Sequence, residues 1–337
     1  VVHAALSGIN TEPGLKRRMV IVLLICTFIG LGLRVFQLDQ QSFWTDEIMS
    51  VQIAQSPMSD IRQESGRASS LPTYFLALRA VIGDQQKPGE ARARALSVLA
   101  GVLAIPLLGL LVFTIRGKPL EAYGASFLLA ISPLHIWYSQ EVRAYALLIT
   151  AAIAAWLAFE KSRHSGRVHQ WIIYVFLAIL TVSLHKTGVI LLAFFAAVVI
   201  LEWRVRPLGR LEWMAHAIVM VVSLYLLSLY PSSYAMDRDS SILEIGYTFL
   251  TFAAGYSFGP SIHELQSMGT LAAVKANLVQ LAMAGMVLIG VALTFLVNFK
   301  AVIRSREFLL IAITVSSVFM LSLVSEYAFN IRYTLLA

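Results

Sequence analysis

Short polar segments interrupt this apolar chain, and several hold side chains able to move a proton or neutralise a phosphate. The first is Ser42-Phe43-Trp44-Thr45-Asp46-Glu47. A carboxylate held just above a bilayer beside an aromatic anchor can take a proton from an attacking hydroxyl. The plainer reading is that Asp46 and Glu47 complement the dipole at a helix start. Thr45 is the expected N-cap of that helix, with Ile48, Val51, Ile53 and Ala54 as its apolar residues. A second segment, Leu71-Pro72-Thr73-Tyr74-Phe75-Leu76, opens another helix, because Pro72 suits a first helical position. It returns the chain to the next apolar block or, with Tyr74, walls a substrate groove.

The third segment runs from Ser132 to Tyr145. Tyr138, Ser139, Gln140, Glu141, Arg143 and Tyr145 bring six hydrogen-bonding side chains within eight residues, between two apolar blocks. Polar groups at such a depth are costly and need partners. A Glu141–Arg143 network tying helix ends together is one account. The other has Arg143 neutralise a phosphate, helped by Tyr138 and Tyr145, with Gln140 and Glu141 in the same cavity. The fourth segment, Leu184-His185-Lys186-Thr187-Gly188, sets a His-Lys pair between two more apolar blocks. Lys186 either snorkels to headgroups or contacts phosphate with His185 and Thr187 as further donors. Asn330-Ile331-Arg332-Tyr333 adds a last cation, a headgroup anchor or a third phosphate ligand. His135 and His263 stand alone, and no spacing marks a metal site. A divalent ion shared by Asp46, Glu47 and a histidine is the one cofactor alternative.

What positions these groups is a set of membrane helices. Of 337 residues, 58% are hydrophobic and 13% charged, and the mean hydropathy is +0.75. A soluble domain carries about 25% charged residues. The apolar blocks approach the length of about 20 residues that a hydrocarbon core requires. Spans are predicted at 19–38, 93–115, 119–137, 144–159, 171–185, 187–202, 214–230, 277–298 and 307–325, with a tenth beginning near 331. Lipid offers the backbone no hydrogen-bond partner, so each must be helical. Lys16, Arg17 and Arg18 precede the first block as in a signal peptide, but the block is too long for one. The net charge of +7 is spread over short loops, which excludes a nucleic-acid face. Cys26 is the single cysteine, so no intrachain disulfide forms.

Alternating spans gather Lys16–Arg18, Arg116 with Lys118, Lys161 with Arg163 and Arg167, Arg204 with Arg206 and Arg210, and Lys300 with Arg304 and Arg306 on one side. That side is expected to be cytoplasmic. The four chemical segments then lie on the outer side, where Trp44 and Trp137 also sit. Two outer loops are long, 39–91 and 231–276, and long ordered loops tend to carry function. The fold expected is all-α: one polytopic transmembrane helical bundle over 1–337, with amphipathic helices in the first extracytoplasmic loop.

Together these landmarks resemble the polytopic GT-C glycosyltransferases, in the bacterial branch related to protein O-mannosyltransferases and the lipid A aminoarabinose transferase. The resemblance rests on Phe43-Trp44-Thr45-Asp46-Glu47 after the first span, on Leu71-Pro72-Thr73-Tyr74, and above all on the turn Ser132–Tyr145. Gly255-Tyr256-Ser257-Phe258-Gly259-Pro260-Ser261 adds to it. The chain departs from the pattern where Thr73 follows Pro72, and where Ala68-Ser69-Ser70 lacks a histidine. It is expected to be truncated, because the family continues with further spans.

The resemblance implies a sugar donor on polyprenyl phosphate and a lipid, glycan or protein acceptor, in a bacterial inner membrane with the site facing outward. Asp46, with Glu47 beside it, matches the base. Arg143, Lys186, His185 and Arg332 match donors to the leaving phosphate. Attack opposite that phosphate would invert the anomeric carbon. The main rival, a transporter or lipid flippase, predicts ionisable groups along the spans and paired broken helices. A polysaccharide polymerase or ligase would share the lipid-linked donor. A non-catalytic scaffold gives no reason for the outer cluster.

Overall fold

The structure is a computed structural model, and it describes residues 13–67, 70–83, 87–230, 251 and 267–324. The described residues are helical, without a named strand; an isolated antiparallel bridge pairs Ser70 with His185. The chain divides into two compact units, Val1–Ile131 with Tyr138–Tyr234, and Ser132–Trp137 with Ala235–Ala337.

In the first unit α1 (Pro13–Val35), α5 (Glu90–Arg116), α6 (Pro119–Ile131), α8 (Tyr145–Ser165), α9 (Val168–Leu184), α10 (Val189–Glu202) and α11 (Arg210–Leu229) follow the predicted apolar blocks. α1 packs on α5 and α6, α5 on α6 and α8, α8 on α9, and α9 on α11. Between α1 and α5 lie three shorter helices, α2 (Thr45–Gln55), α3 (Met58–Arg67) and α4 (Pro72–Ile82). A short helix, α7 (Pro133–Ser139), precedes the polar turn. In the second unit, α12 (Thr270–Ala276), α13 (Leu278–Val297), α14 (Phe299–Val302) and α15 (Arg306–Val324) are described.

Five helices are long and apolar enough to cross a membrane: Gly14–Val35, α5, α8, α11 and α13. This confirms an integral membrane, all-α chain. The expected span at 119–137 is corrected. It is broken into α6 and α7, because Pro133 has no N–H to continue a helix begun at Pro119. The 13 residues of α6 reach about 20 Å, short of a hydrocarbon core of about 30 Å.

The first-loop helices do more than lie on a surface. Val51, Ile53, Ala54, Ile61, Tyr74, Phe75, Leu78 and Ile82 form one buried cluster with Ala93, Val142, Ala144, Ala151 and Leu184. Burying such side chains contributes roughly 1.5–3 kcal/mol each for the larger ones. α2–α4 are therefore anchored to α5, α8 and α9, with Ile48 left exposed. Thr45 is corrected from N-cap to first helical residue. Trp44 is the cap, and its N–H is taken by the Glu47 carboxylate at 3.3 Å. The Asn330–Tyr333 segment with Arg332, Gly255–Ser261, His263, the tenth span and most of the loop 231–276 lie outside the described residues.

Candidate active site

Asp46 and Glu47 are adjacent on α2, so their side chains leave the helix about 100° apart. One is buried and the other opens outward. Glu47 is 1% exposed and is held by a bidentate pair with Arg94 of α5, Nε to Oε1 at 2.9 Å and Nη2 to Oε2 at 2.8 Å. The Val142 N–H also donates to Oε1 at 2.9 Å. Both carboxylate oxygens thus accept two hydrogen bonds, counting the Trp44 amide. Arg94 spends its remaining nitrogen, Nη1, on the carbonyls of Leu38 and Gln41, at 2.7 and 2.9 Å. Its guanidinium lies 5.6 Å from the Phe43 ring centroid. Glu47 and Arg94 therefore fasten the entry of the first loop, α5 and the 140–143 turn at one point.

Asp46 sits on the open side of this fastening, 29% exposed, with Oδ2 3.9 Å from Nη2 of Arg143. Arg143 is mostly buried and lies 5.6 Å from the Tyr145 ring centroid. Its turn is pinned from three directions. Gln140 donates to the carbonyls of Arg34 and Phe36, Val142 donates to Glu47, and Ser97 of α5 donates to the Arg143 carbonyl. Burial opposes the Arg143 charge, but the hydrogen bond from its guanidinium to Tyr145 and the Asp46 carboxylate outweigh it and hold the guanidinium protonated.

Aromatic and polar groups from three more segments close round Arg143. Tyr138 stacks edge-on to Tyr145 at 5.0 Å, and Tyr145 lies 5.4 Å from the His185 ring. Tyr74 of α4 is buried, within electrostatic reach of Arg143, Glu47, Glu141 and Tyr145. Burial pushes its phenol up, with Arg143 opposing in part, so Tyr74 remains a neutral donor. His185 is fixed by the Ser70 bridge and by the Leu71 N–H donating to the Leu184 carbonyl at 3.3 Å. Thr187 meets His185 Nδ1 twice, through its N–H at 3.3 Å and its hydroxyl at 2.8 Å, which fixes the ring. Lys186, next along the chain, is half-buried, and that burial lowers its pKa.

The Arg143 guanidinium donates a hydrogen bond to the Tyr145 hydroxyl, while the buried Tyr74 hydroxyl makes no hydrogen bond among the described residues. An orphaned polar atom costs about 1–3 kcal/mol when buried, which marks a place kept ready for something polar. Asp46, Tyr74, Tyr138, Glu141, Arg143, Tyr145 and His185 thus belong to one neighbourhood, with Lys186 next to His185 in the chain, while the Gln140 amide faces the end of α1. No group of three His, Cys, Asp or Glu side chains able to hold a metal ion occurs among the described residues. The divalent-ion alternative therefore has no ligand set there.

Two arginines had no place in the sequence reading. Arg94 is one. The other is Arg34 of α1, which is fully buried. It donates to the carbonyls of Gly30, Ala130 and Leu129 at 2.9, 3.0 and 3.1 Å, and to Ser139 Oγ at 3.2 Å. It caps the last carbonyls of α6 from a neighbouring helix and braces the start of the polar turn. Gly101 of α5 makes room for this, since a Cβ there would overlap Ser139. The available signal was an arginine inside or at the edge of an apolar block, which is functional by default.

Residues 73–234 match the family model described as dolichyl-phosphate-mannose-protein mannosyltransferase. The match takes in Tyr74, the whole polar turn, His185 and Lys186, and begins after Asp46. Comparison with curated proteins and with solved structures finds no match. The expected kinship is supported over residues 73–234, a stretch similar to the dolichyl-phosphate-mannose-protein mannosyltransferase domain, a family of the GT-C superfamily.

Proposed function

We propose that this chain transfers a sugar, mannose by family likeness, from a polyprenyl-phosphate carrier to a hydroxyl of a protein acceptor, on the outer face of a bacterial cytoplasmic membrane. The observation that carries this is the half-open Asp46 carboxylate 3.9 Å from a mostly buried Arg143, with the Tyr74 and Tyr145 phenols beside it. The acceptor hydroxyl gives its proton to Asp46 as its oxygen bonds to the anomeric carbon. The bond from that carbon to the phosphate breaks, and the electron pair leaves on polyprenyl phosphate. That leaving group is already a stable anion, so it needs positive charge more than a proton. Arg143 and Lys186 supply the charge, with Tyr145 and His185 as further hydrogen-bonding groups; Arg332 is proposed as a third cation. Asp46 and the phosphate act on opposite faces of the sugar, which inverts the anomeric carbon. Glu47 we assign to positioning Asp46, because all four of its hydrogen bonds are made to Arg94, Val142 and Trp44 within the protein.

The outward side is supported by the basic loops at the other helix ends. The transporter reading is not favoured, because Arg34 and Arg94 are spent on carbonyls, Ser139 and Glu47, without lining a path. The test is transfer from labelled polyprenyl-phosphate mannose to a Ser/Thr-rich peptide by the full chain in vesicles. Asp46→Asn should abolish transfer with folding unchanged. Near-normal turnover would remove Asp46 from the mechanism.

A further inference from the structure

A second recess lies far along the helices from this site. Fourteen residues of α10 separate Gly188 from the loop that begins at Trp203, about 21 Å of helix. α11 packs on α9, so a groove is left between α10 and α11 with Tyr174 of α9 in its wall. Leu192 and Ala196 line one side, Val219 and Met220 the other, and Trp203 and Trp213 the mouth. From Leu192 to Trp203 the groove follows about 16 Å of helix, half of a hydrocarbon core. Tyr174 Oη lies 3.0 Å from His216 Nδ1, and His216 Nε2 makes no hydrogen bond among the described residues, in a wall otherwise built of Leu, Ala, Val, Ile, Met and Trp side chains. The lining therefore suits an apolar chain. The mouth suits a headgroup: Trp203 and Trp213 stand edge to face at 6.0 Å, both exposed, as indoles do at the interface.

The charge at the mouth decides which headgroup. Arg163 pairs with Glu202 and Glu212 at 2.7 and 2.9 Å, and Arg206 pairs with Glu212 at 3.4 Å. The acids are thus consumed by these two arginines. Arg204 follows Trp203 in the chain and Arg210 stands one helical turn before Trp213; both are exposed and have no ion pair among the described residues.

We propose that the groove between α10 and α11 binds an anionic phospholipid, its acyl chain along Leu192, Ala196 and Val219 and its phosphate between Arg204 and Arg210. The site is independent of the transferase reading. Two basic side chains near a lipid surface favour an anionic over a zwitterionic headgroup by roughly 30-fold.

The probe is phosphatidylglycerol brominated in mid-chain, in phosphatidylcholine vesicles holding the full chain. The readout is the part of the tryptophan fluorescence that Trp203→Phe/Trp213→Phe removes. Brominated phosphatidylglycerol should quench this part at tens-fold lower fraction than brominated phosphatidylcholine. Arg204→Gln/Arg210→Gln should bring the two lipids to parity. Ala196→Phe, which fills the groove and leaves the mouth charges, should weaken quenching by both. Equal quenching in the unaltered protein would overturn the proposal, as would a preference that survives loss of both arginines. Relief of quenching by polyprenyl phosphate but not by unbrominated phosphatidylglycerol would also overturn it, giving the groove to the sugar carrier's tail.

Discussion

Replacing Glu47 by Gln separates positioning from chemistry. Glu47 accepts four hydrogen bonds, two from the Arg94 guanidinium at 2.9 and 2.8 Å, one from Val142 N at 2.9 Å and one from Trp44 N at 3.3 Å. A Gln keeps one carbonyl and presents an NH2 where the second oxygen stood. That NH2 meets donors whichever way the amide is turned. Two hydrogen bonds are lost, and the Arg94 charge is left without its partner among residues 4% and 1% exposed. Removing one member of a buried pair costs about 3–5 kcal/mol. Part of that falls on global stability and part on the placement of α2, which carries Asp46. Thermal unfolding in detergent and transfer rate should therefore fall together in Glu47→Gln. Asp46 is 29% exposed where Glu47 is buried, so Asp46→Asn should melt closer to the parent than Glu47→Gln does and yet be inactive. The reasoning is refuted if Glu47→Gln keeps full thermal stability and loses all transfer, because Glu47 would then act chemically.

Tyr74→Phe should match or exceed the parent in thermal stability, since it deletes a buried hydroxyl with no partner of good geometry; its donor KM should rise, and an unchanged KM would take Tyr74 out of the site. Arg34→Leu leaves the carbonyls of Leu129 and Ala130 without their donor and should cost about 3 kcal/mol or more, read as a lower melting temperature. Gly101→Val should likewise lower the melting temperature, because its side chain overlaps Ser139, while Gly124→Ala, with open space around it, should not. For Lys186 the sign runs with rising pH: burial lowers its pKa, so the ammonium is lost at lower pH than in an ordinary lysine. Donor KM should therefore climb early on the alkaline side, and Lys186→Arg, which stays charged, should move that climb upward.

The sequence exposed most of the polar cluster because polar residues at the ends of apolar blocks are expensive and therefore conspicuous. Asp46, the Tyr138–Tyr145 turn and His185-Lys186 were all visible on that ground. The difference between Asp46 and Glu47 was not, since both stand in the same first turn and only Arg94, 47 residues away, makes one of them a fastening. Arg34 and Arg94 escaped because many of their acceptors are backbone carbonyls, which every residue has, so no partner residue type announces them. The break at Ile131 was legible in Pro133, but the apolar run on either side read as one span.

The most direct measurement is a structure of the full chain with a polyprenyl-phosphonate sugar that cannot be cleaved. The phosphonate should lie within about 3 Å of Arg143 or Lys186 nitrogens, and the Asp46 carboxylate on the opposite face of the anomeric carbon. A phosphonate bound away from Arg143 and Lys186, or an Asp46 on the same face as the leaving group, would contradict the proposed mechanism.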